Sequence, residues 1–325
     1  MNVLLTGASG FIGRRMVCEF SQSGIQGLAS SRAALTGLPP LWVHRHRAEI
    51  LAGLPEGSRF DLVLHLEVKQ HVQNPSAADL AEFQAVNVEG TRQWLDWCRR
   101  HGVKRFVYFS SIKAVGESSQ CQDETAQGLP STPYGKSKLA AETWVRQWAA
   151  EDSARSALIL RPAVVYGPEN QANMYSLVQA VDAGRFFLVG ANDNIKSLVS
   201  LRNLVAATLH LLGRMKSGVD VYNLVDQESF AVGQLGPMIA GLLGKRWRAR
   251  SLPLSLAKTI ALVGDLGSRV TRRSFPLTSA RLAALLETTH FSCQKLRNTG
   301  FVHPQTTLEG LAEMVRWYRG SKPRV

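Results

Sequence analysis

The stretch 1-MNVLLTGASGFIGRRM-16 decides the reading of the fold. A short apolar run, Val3–Leu5, breaks at Thr6-Gly7. Glycines recur at Gly10 and Gly13, and a helical period then begins. A strand that passes through a glycine turn into a helix makes an anion site. The helix N-terminus aims backbone N–H groups at a phosphate, and glycine lets the backbone come close. The turn Gly7, Ala8, Ser9, Gly10, Phe11, Ile12, Gly13 is therefore expected to hold a dinucleotide pyrophosphate.

Outward from that turn, apolar runs recur at Ile25–Ala29, Leu41–His44, Leu62–Leu66, Phe106–Phe109 and Ala157–Leu160. Helical periods lie between several of them, notably Asp79–His101 and Tyr134–Ala150. Alternating β and α over this length predicts an α/β fold, a Rossmann-type doubly wound parallel sheet with helices on both faces. Continuous apolar runs suit strands buried on both sides. After Arg161-Pro162 the pattern loosens. Helices are expected at Arg202–Met215, Val232–Leu243 and Thr307–Arg319, with Val219–Leu224 as one more strand of the sheet. Residues 1–165 are expected to form the dinucleotide-binding domain, with a returning segment near 195–225. Residues 166–325 are expected to form mainly a smaller, interleaved C-terminal substrate domain. Leu252–Leu266 is apolar and could lie on a membrane surface. It is expected instead to pack on its own domain, since it holds only Lys258 and lacks a basic face.

Composition narrows the class. The chain has 325 residues, 45% hydrophobic, enough for a real core. No apolar run reaches the roughly 18 residues of a membrane span. The chain opens directly on a strand, so no signal peptide is expected. Cys18, Cys98, Cys121 and Cys293 are scattered, with no metal-type spacing. A reduced, cytoplasmic setting follows as the expectation. The net charge is +13. Its cations are dispersed, at Arg14-Arg15, Arg99-Arg100, Lys245 to Arg250 and Arg272-Arg273, without interleaved aromatics. That favours an anionic small ligand over nucleic acid.

The end of the second strand chooses the cofactor. A carboxylate there would bind the ribose 2′-hydroxyl of NAD, whereas an arginine accommodates the 2′-phosphate of NADP. The sequence reads Ala29-Ser30-Ser31-Arg32, with no carboxylate. Ser31 and Arg32 form a phosphate cradle on this reading, so NADP(H) is preferred and NAD(H) is the alternative. Further on stands Tyr134-Gly135-Lys136-Ser137-Lys138. Tyr134 and Lys138 are four apart at a helix start and share a face. A tyrosine can exchange protons near neutrality only if its pKa falls well below about 10. A neighbouring ammonium does that. Phe109-Ser110-Ser111 ends a strand at the carboxyl edge of the sheet, where a hydroxyl could hold a substrate oxygen.

With these residues in hand, the chain resembles the extended short-chain dehydrogenase/reductase family, the nucleotide-sugar epimerases, dehydratases and reductases. The resemblance runs almost end to end. It rests on TGASGFIG at Thr6–Gly13, Asn87-Val88-Glu89-Gly90-Thr91, SSIKAVGE at Ser110–Glu117, PYGKSK at Pro133–Lys138 and RPAVVYGP at Arg161–Pro168. It implies a catalytic triad of Ser111, Tyr134 and Lys138, with Ser110 as the fallback hydroxyl. Asn87 would support the lysine and its water. Lys138, Leu66 and Glu49 would add cofactor contacts, Glu49 at the adenine. Lys196, within NDNIKSLVS, would meet the substrate diphosphate beside Ser110, Ser111 and Tyr134. Arg281 and Arg272 are further candidates for that anion.

The resemblance also sharpens the reaction. Dehydratases of the family carry Asp-Glu after the catalytic hydroxyl, and this chain has Ile112-Lys113, so dehydration is not expected. The favoured expectation is NADPH-dependent reduction of the 4-keto group of a UDP-linked N-acetyl 6-deoxy sugar, in surface polysaccharide synthesis. The alternatives are a UDP-hexose 4-epimerase using bound NAD, and a non-catalytic cofactor-sensing protein. A homodimer through the two long helices is implied as well. One departure stands out. Glu67 replaces a small residue after the fourth strand, where the pyrophosphate and ribose should pass. It is expected either to turn away and pair with Lys69 or another cation, or to weaken cofactor binding.

Overall fold

The computed structural model describes residues 1–55, 57–72, 74–248, 250–271, 275 and 277–321. Seven strands form one parallel sheet: β1 (Asn2–Thr6), β2 (Gln26–Ser31), β3 (Trp42–His46), β4 (Leu62–His65), β5 (Arg105–Phe109), β6 (Ser156–Pro162) and β7 (Gly218–Leu224). Their order is β7-β6-β5-β4-β1-β2-β3. The chain winds one way from β1 to β3 and then the other way from β4. The switch point lies between β1 and β4, where open α/β sheets bind ligands beyond the carboxyl ends of the strands.

Alternation along each strand feeds two cores. Val3 and Leu5, Leu62 and Leu64, Val107 and Phe109 face one side, and Met16, Val17 and Phe20 of α1 (Phe11–Gln22) cover them. Leu4, Val63, Phe106, Tyr108 and Ile159 face the other. There they meet Trp94 and Trp97 of α2 (Gly90–Arg100) and Val145 and Trp148 of α3 (Pro133–Ala150). The period of two puts successive side chains on opposite faces, so both faces must be apolar.

The helix expected over Asp79–His101 is a composite. Ala77–Glu82 leads into a π-helical stretch, Phe83–Glu89, and then α2. The wider turn holds Asn87, and such bulges often mark functional sites. A third core lies beyond the sheet, around Tyr166, Met174, Leu198, Ile239 and Met314. A small four-stranded sheet brings Ile195–Lys196 and Thr289–Phe291 beside Ser118–Gln122, just after the Ser111 segment. The helix expected near Leu252–Leu266 spans Leu254–Thr271. Among its described side chains the small residues Ala257, Ala261 and Gly264 are buried, and Leu254, Leu256, Ile260, Leu262, Val263 and Leu266 are exposed. The helix packs on its own domain, against Val189 and Leu282, but through its small residues. Among the described residues no helix is long and apolar enough to cross a membrane, and no group of His, Cys, Asp and Glu could hold a metal.

Candidate active site

The glycine turn fits a dinucleotide pyrophosphate. Gly7 has φ of 71°, and a Cβ there would stand 2.7 Å from the Leu66 carbonyl carbon. A Cβ at Gly13 would stand 2.4 Å from the Gly7 oxygen. Only glycine allows this approach of turn, helix and β4 loop. Gly10 caps α1 without a side chain, and no acidic residue sits in the first turn. The N–H groups of that turn are thus left for an anion. Leu66 and the Glu67 backbone close the other wall. The Glu67 carboxylate turns away, taking hydrogen bonds from Arg47 Nε at 3.0 Å and Trp94 Nε1 at 3.1 Å. Its partner is Arg47 and not Lys69, whose ammonium pairs with Asp79 and Glu82. Glu67 therefore does not block the cofactor path. His65 is buried behind it, bridging Thr6 at 2.7 Å and Thr91 at 3.1 Å, and burial holds its pKa well down. It ties β1, β4 and α2 together.

The 2′-phosphate cradle expected from Ser31 and Arg32 is not assembled. The Ser31 hydroxyl donates to the Ala33 carbonyl and meets His44 Nε2 at 3.0 Å. Arg32 is exposed at the rim. Glu49 also differs from expectation. Its carboxylate accepts from the His46 N–H at 3.3 Å, closing the capping box of the short helix Arg47–Ala52.

The reacting side is compact. Thr132 caps α3, accepting from the Gly135 N–H at 3.1 Å, and Pro133 opens it with a preset φ. This start places Tyr134 against the segment after β5, where Ser111 Oγ caps a short turn at Lys113. Ser110 and Ser111 point different ways. Ser110 is buried and donates to Glu142 at 2.6 Å. Ser111 contacts Tyr134, so the fallback hydroxyl is removed from the site. Desolvation pushes the Tyr134 phenol up to about 12, with the Ser111 hydrogen bond acting the other way. Burial brings Lys138 down to about 7, opposed by Glu142. The lysine Nζ donates to the Phe109 carbonyl at 2.6 Å and lies 4.3 Å from the centre of the Tyr108 ring. The expected lowering of Tyr134 by this ammonium is not produced in the protein alone, because desolvation dominates. The positive charge of a bound nicotinamide would act in the lowering direction. Asn87 donates to Ser137 at 2.9 Å and exchanges bonds with the Lys69 backbone. It reaches α3 one residue short of Lys138, not the lysine itself.

Two aromatic neighbours escaped the sequence reading. His71 and Phe83 set their rings edge-on to Tyr134, at 5.9 and 6.1 Å between centres. Glu287 escaped it as well. Its carboxylate pairs with Lys113, beside Glu117, whose pKa burial raises. The Lys196 ammonium bonds the Ala284 carbonyl at 2.9 Å and the Glu287 carbonyl, at the C-terminus of the helix Ser279–Leu286. Lysine suits that negative end of a helix. The diphosphate role expected of Lys196 must compete with these bonds. Arg281 points its guanidinium at the Phe275 carbonyl, and Arg272 lies outside the described residues.

A parallel sheet with a glycine turn at its switch point, and Ser, Tyr and Lys gathered at the ends of β5 and α3, define the short-chain dehydrogenase/reductase class of Rossmann enzymes. Residues 3–224 match the model of the NAD dependent epimerase/dehydratase family, and the chain belongs to that family. It is 31% identical to the N-acetyl-alpha-D-glucosaminyl-diphospho-ditrans,octacis-undecaprenol 4-epimerase of Escherichia coli O157:H7, over 97% of this chain and 95% of that one. It is 29% identical to the UDP-glucose 4-epimerase of Vibrio cholerae, over 75% and 76%. Among solved structures, MoeE5 in complex with UDP-glucuronic acid and NAD superposes with a TM-score of 0.76 at 26% identity, covering 99% and 100%.

Proposed function

We propose that the protein is a 4-epimerase of a hexose or N-acetylhexosamine carried on a diphosphate, working with tightly held NAD. One observation carries the reading: Ser111 meets Tyr134 and Lys138 stands one turn on in the same helix, while Ile112 and Lys113 stand where a dehydratase needs carboxylates. NAD suits the rim, because the Ser31 hydroxyl is engaged by the Ala33 carbonyl and His44. The named 4-epimerases aligned above favour the same chemistry. Bound NAD would supply the acceptor for the C4 hydride and give it back. Tyr134 takes the C4 hydroxyl proton as the hydride leaves, and returns it once the keto sugar has presented its opposite face. Ser111 holds the C4 oxygen in both directions, and the Lys138 charge favours the ionised phenol. Residues 166–325 supply most of the sugar-diphosphate contacts. A shallow groove of Leu129, Pro130, Leu139 and Ala140 on the outer face of α3 suits a homodimer.

The test is to denature freshly purified protein and weigh the released cofactor. Native protein is then incubated with UDP-glucose and UDP-N-acetylglucosamine without added cofactor. Co-purified NAD and interconversion of either sugar with its C4 epimer support the proposal. An NADPH-consuming 4-keto reductase is the second reading, favoured by Arg32 and the missing carboxylate after β2. Stoichiometric loss of NADPH with a UDP-4-keto sugar, and no epimer formed, would replace the first reading with the second.

A further inference from the structure

The helix Leu254–Thr271 wears its side chains inside out. Ala257 and Ala261 form its packed face, against Val189 and Leu282, and Gly264 is buried one turn on. Leu256, Ile260, Leu262, Val263 and Leu266 are between 41 and 65% exposed. The helical period sets Leu256, Leu262, Val263 and Leu266 on the side away from the alanines, with Ser255 and Thr259 among them, and puts Ile260 on the flank. Burying small residues while presenting large aliphatic ones forgoes hydrophobic stabilisation unless something covers the outer face.

The surrounding charge says what covers it. Arg246, Arg248, Arg250 and Lys258 stand within thirteen residues at the head of the helix; Lys245 is paired with Asp182, and the single acidic residue of the helix, Asp265, accepts from the Ser279 N–H. Ser251–Leu252 pairs with Leu188–Val189. That pairing brings exposed Phe187 to the head of the helix, with the Arg250 guanidinium 5.9 Å from its ring centre. An aliphatic face led in by cations matches an anionic lipid surface. Two copies meeting through the same face would instead oppose like charges.

We propose that this face docks on an anionic lipid bilayer, with the aliphatic side chains in the interface and Arg246, Arg248, Arg250 and Lys258 at the headgroup phosphates. The helix lies on the membrane and does not span it, since its inner face is packed on the protein. Beneath it, the helix Ser279–Leu286 packs through Leu282 and runs directly into Glu287, the partner of Lys113. Docking therefore sets the sugar site close to the bilayer, within reach of a sugar whose diphosphate is anchored in lipid. That consequence rests on the epimerase reading; the docking itself does not.

The test is sedimentation of the full chain with phosphatidylcholine vesicles, with and without phosphatidylglycerol. Binding should require phosphatidylglycerol and weaken with salt. Leu262→Ser/Leu266→Ser should cut it about tenfold or more, and so should Arg248→Glu/Arg250→Glu. Both variants should keep wild-type turnover of a water-soluble UDP-sugar, which separates loss of docking from loss of fold. Failure of that turnover in the wild type would count against the epimerase reading alone. No sedimentation with any vesicle would overturn the proposal. So would a dimer that falls apart in Leu262→Ser/Leu266→Ser, because a second copy would then be the occupant.

Discussion

Glu142 is the residue whose loss should be felt in both stability and chemistry. Its carboxylate accepts from Arg161 Nε at 2.9 Å, Arg161 Nη2 at 2.7 Å and Ser110 Oγ at 2.6 Å. The two charged side chains are 1% and 4% exposed. Glu142→Gln keeps the shape but removes the charge and turns an N–H₂ group into the pocket. Arg161 is then left buried and uncompensated, at a cost of about 3–5 kcal/mol. For a chain of this size that lowers Tm by about 4–7 °C. Calorimetry and urea unfolding at neutral pH measure it. Replacing both partners with apolar residues, Glu142→Leu/Arg161→Met, should recover most of the loss, because no lone charge remains. A second readout is specific to the site. Glu142 opposes the effect of burial on Lys138, which stands at about 7. Without that charge Lys138 loses its proton at lower pH, so the alkaline limb of the activity profile should move down. A Tm within about 2 °C of wild type, with that limb unmoved, would refute the account of the pair.

Tyr134→Phe should abolish turnover and leave cofactor binding within a few-fold, by calorimetric titration with NAD; a variant that kept most of its rate would put the proton transfer elsewhere. Gly13→Ala should weaken NAD binding at least about tenfold, because its Cβ would lie 2.4 Å from the Gly7 oxygen and force the turn and α1 apart. Arg32→Ala should change NADH and NADPH affinity alike, and a selective loss of NADPH would revive the 2′-phosphate reading. Glu151, held down to about 2 by Arg99 and then Arg155, contributes stability above its ordinary carboxylate range. That contribution disappears as pH falls from about 4.5 towards 2. Its side chain is 43% exposed, so Glu151→Gln should cost under about 1 kcal/mol at neutral pH and flatten the acid limb of Tm against pH.

Much of this protein is local in its chain. The break at Thr6-Gly7, the glycines at Gly10 and Gly13 and the apolar runs that follow are short-range patterns. They determined the parallel sheet, the phosphate turn and the shared face of Tyr134 and Lys138, because strand and helix periods act over a few residues. Other features depend on partners far along the chain. Glu67 looked like an obstacle to the cofactor until Arg47 and Trp94 drew its carboxylate away. The resemblance ranks Ser111 before Ser110, but the physical reason is tertiary: Glu142, 32 residues on, takes the Ser110 hydroxyl and leaves Ser111 beside Tyr134. Lys113 finds Glu287 across 174 residues, and Lys196 meets the end of a helix some 90 residues on. The same holds for Leu254–Thr271. Its apolar composition is visible in the sequence, but the choice to bury Ala257 and Ala261 and expose the leucines was made by close packing. A small side chain permits an approach that a leucine forbids, and which neighbour approaches is known only once the chain has folded.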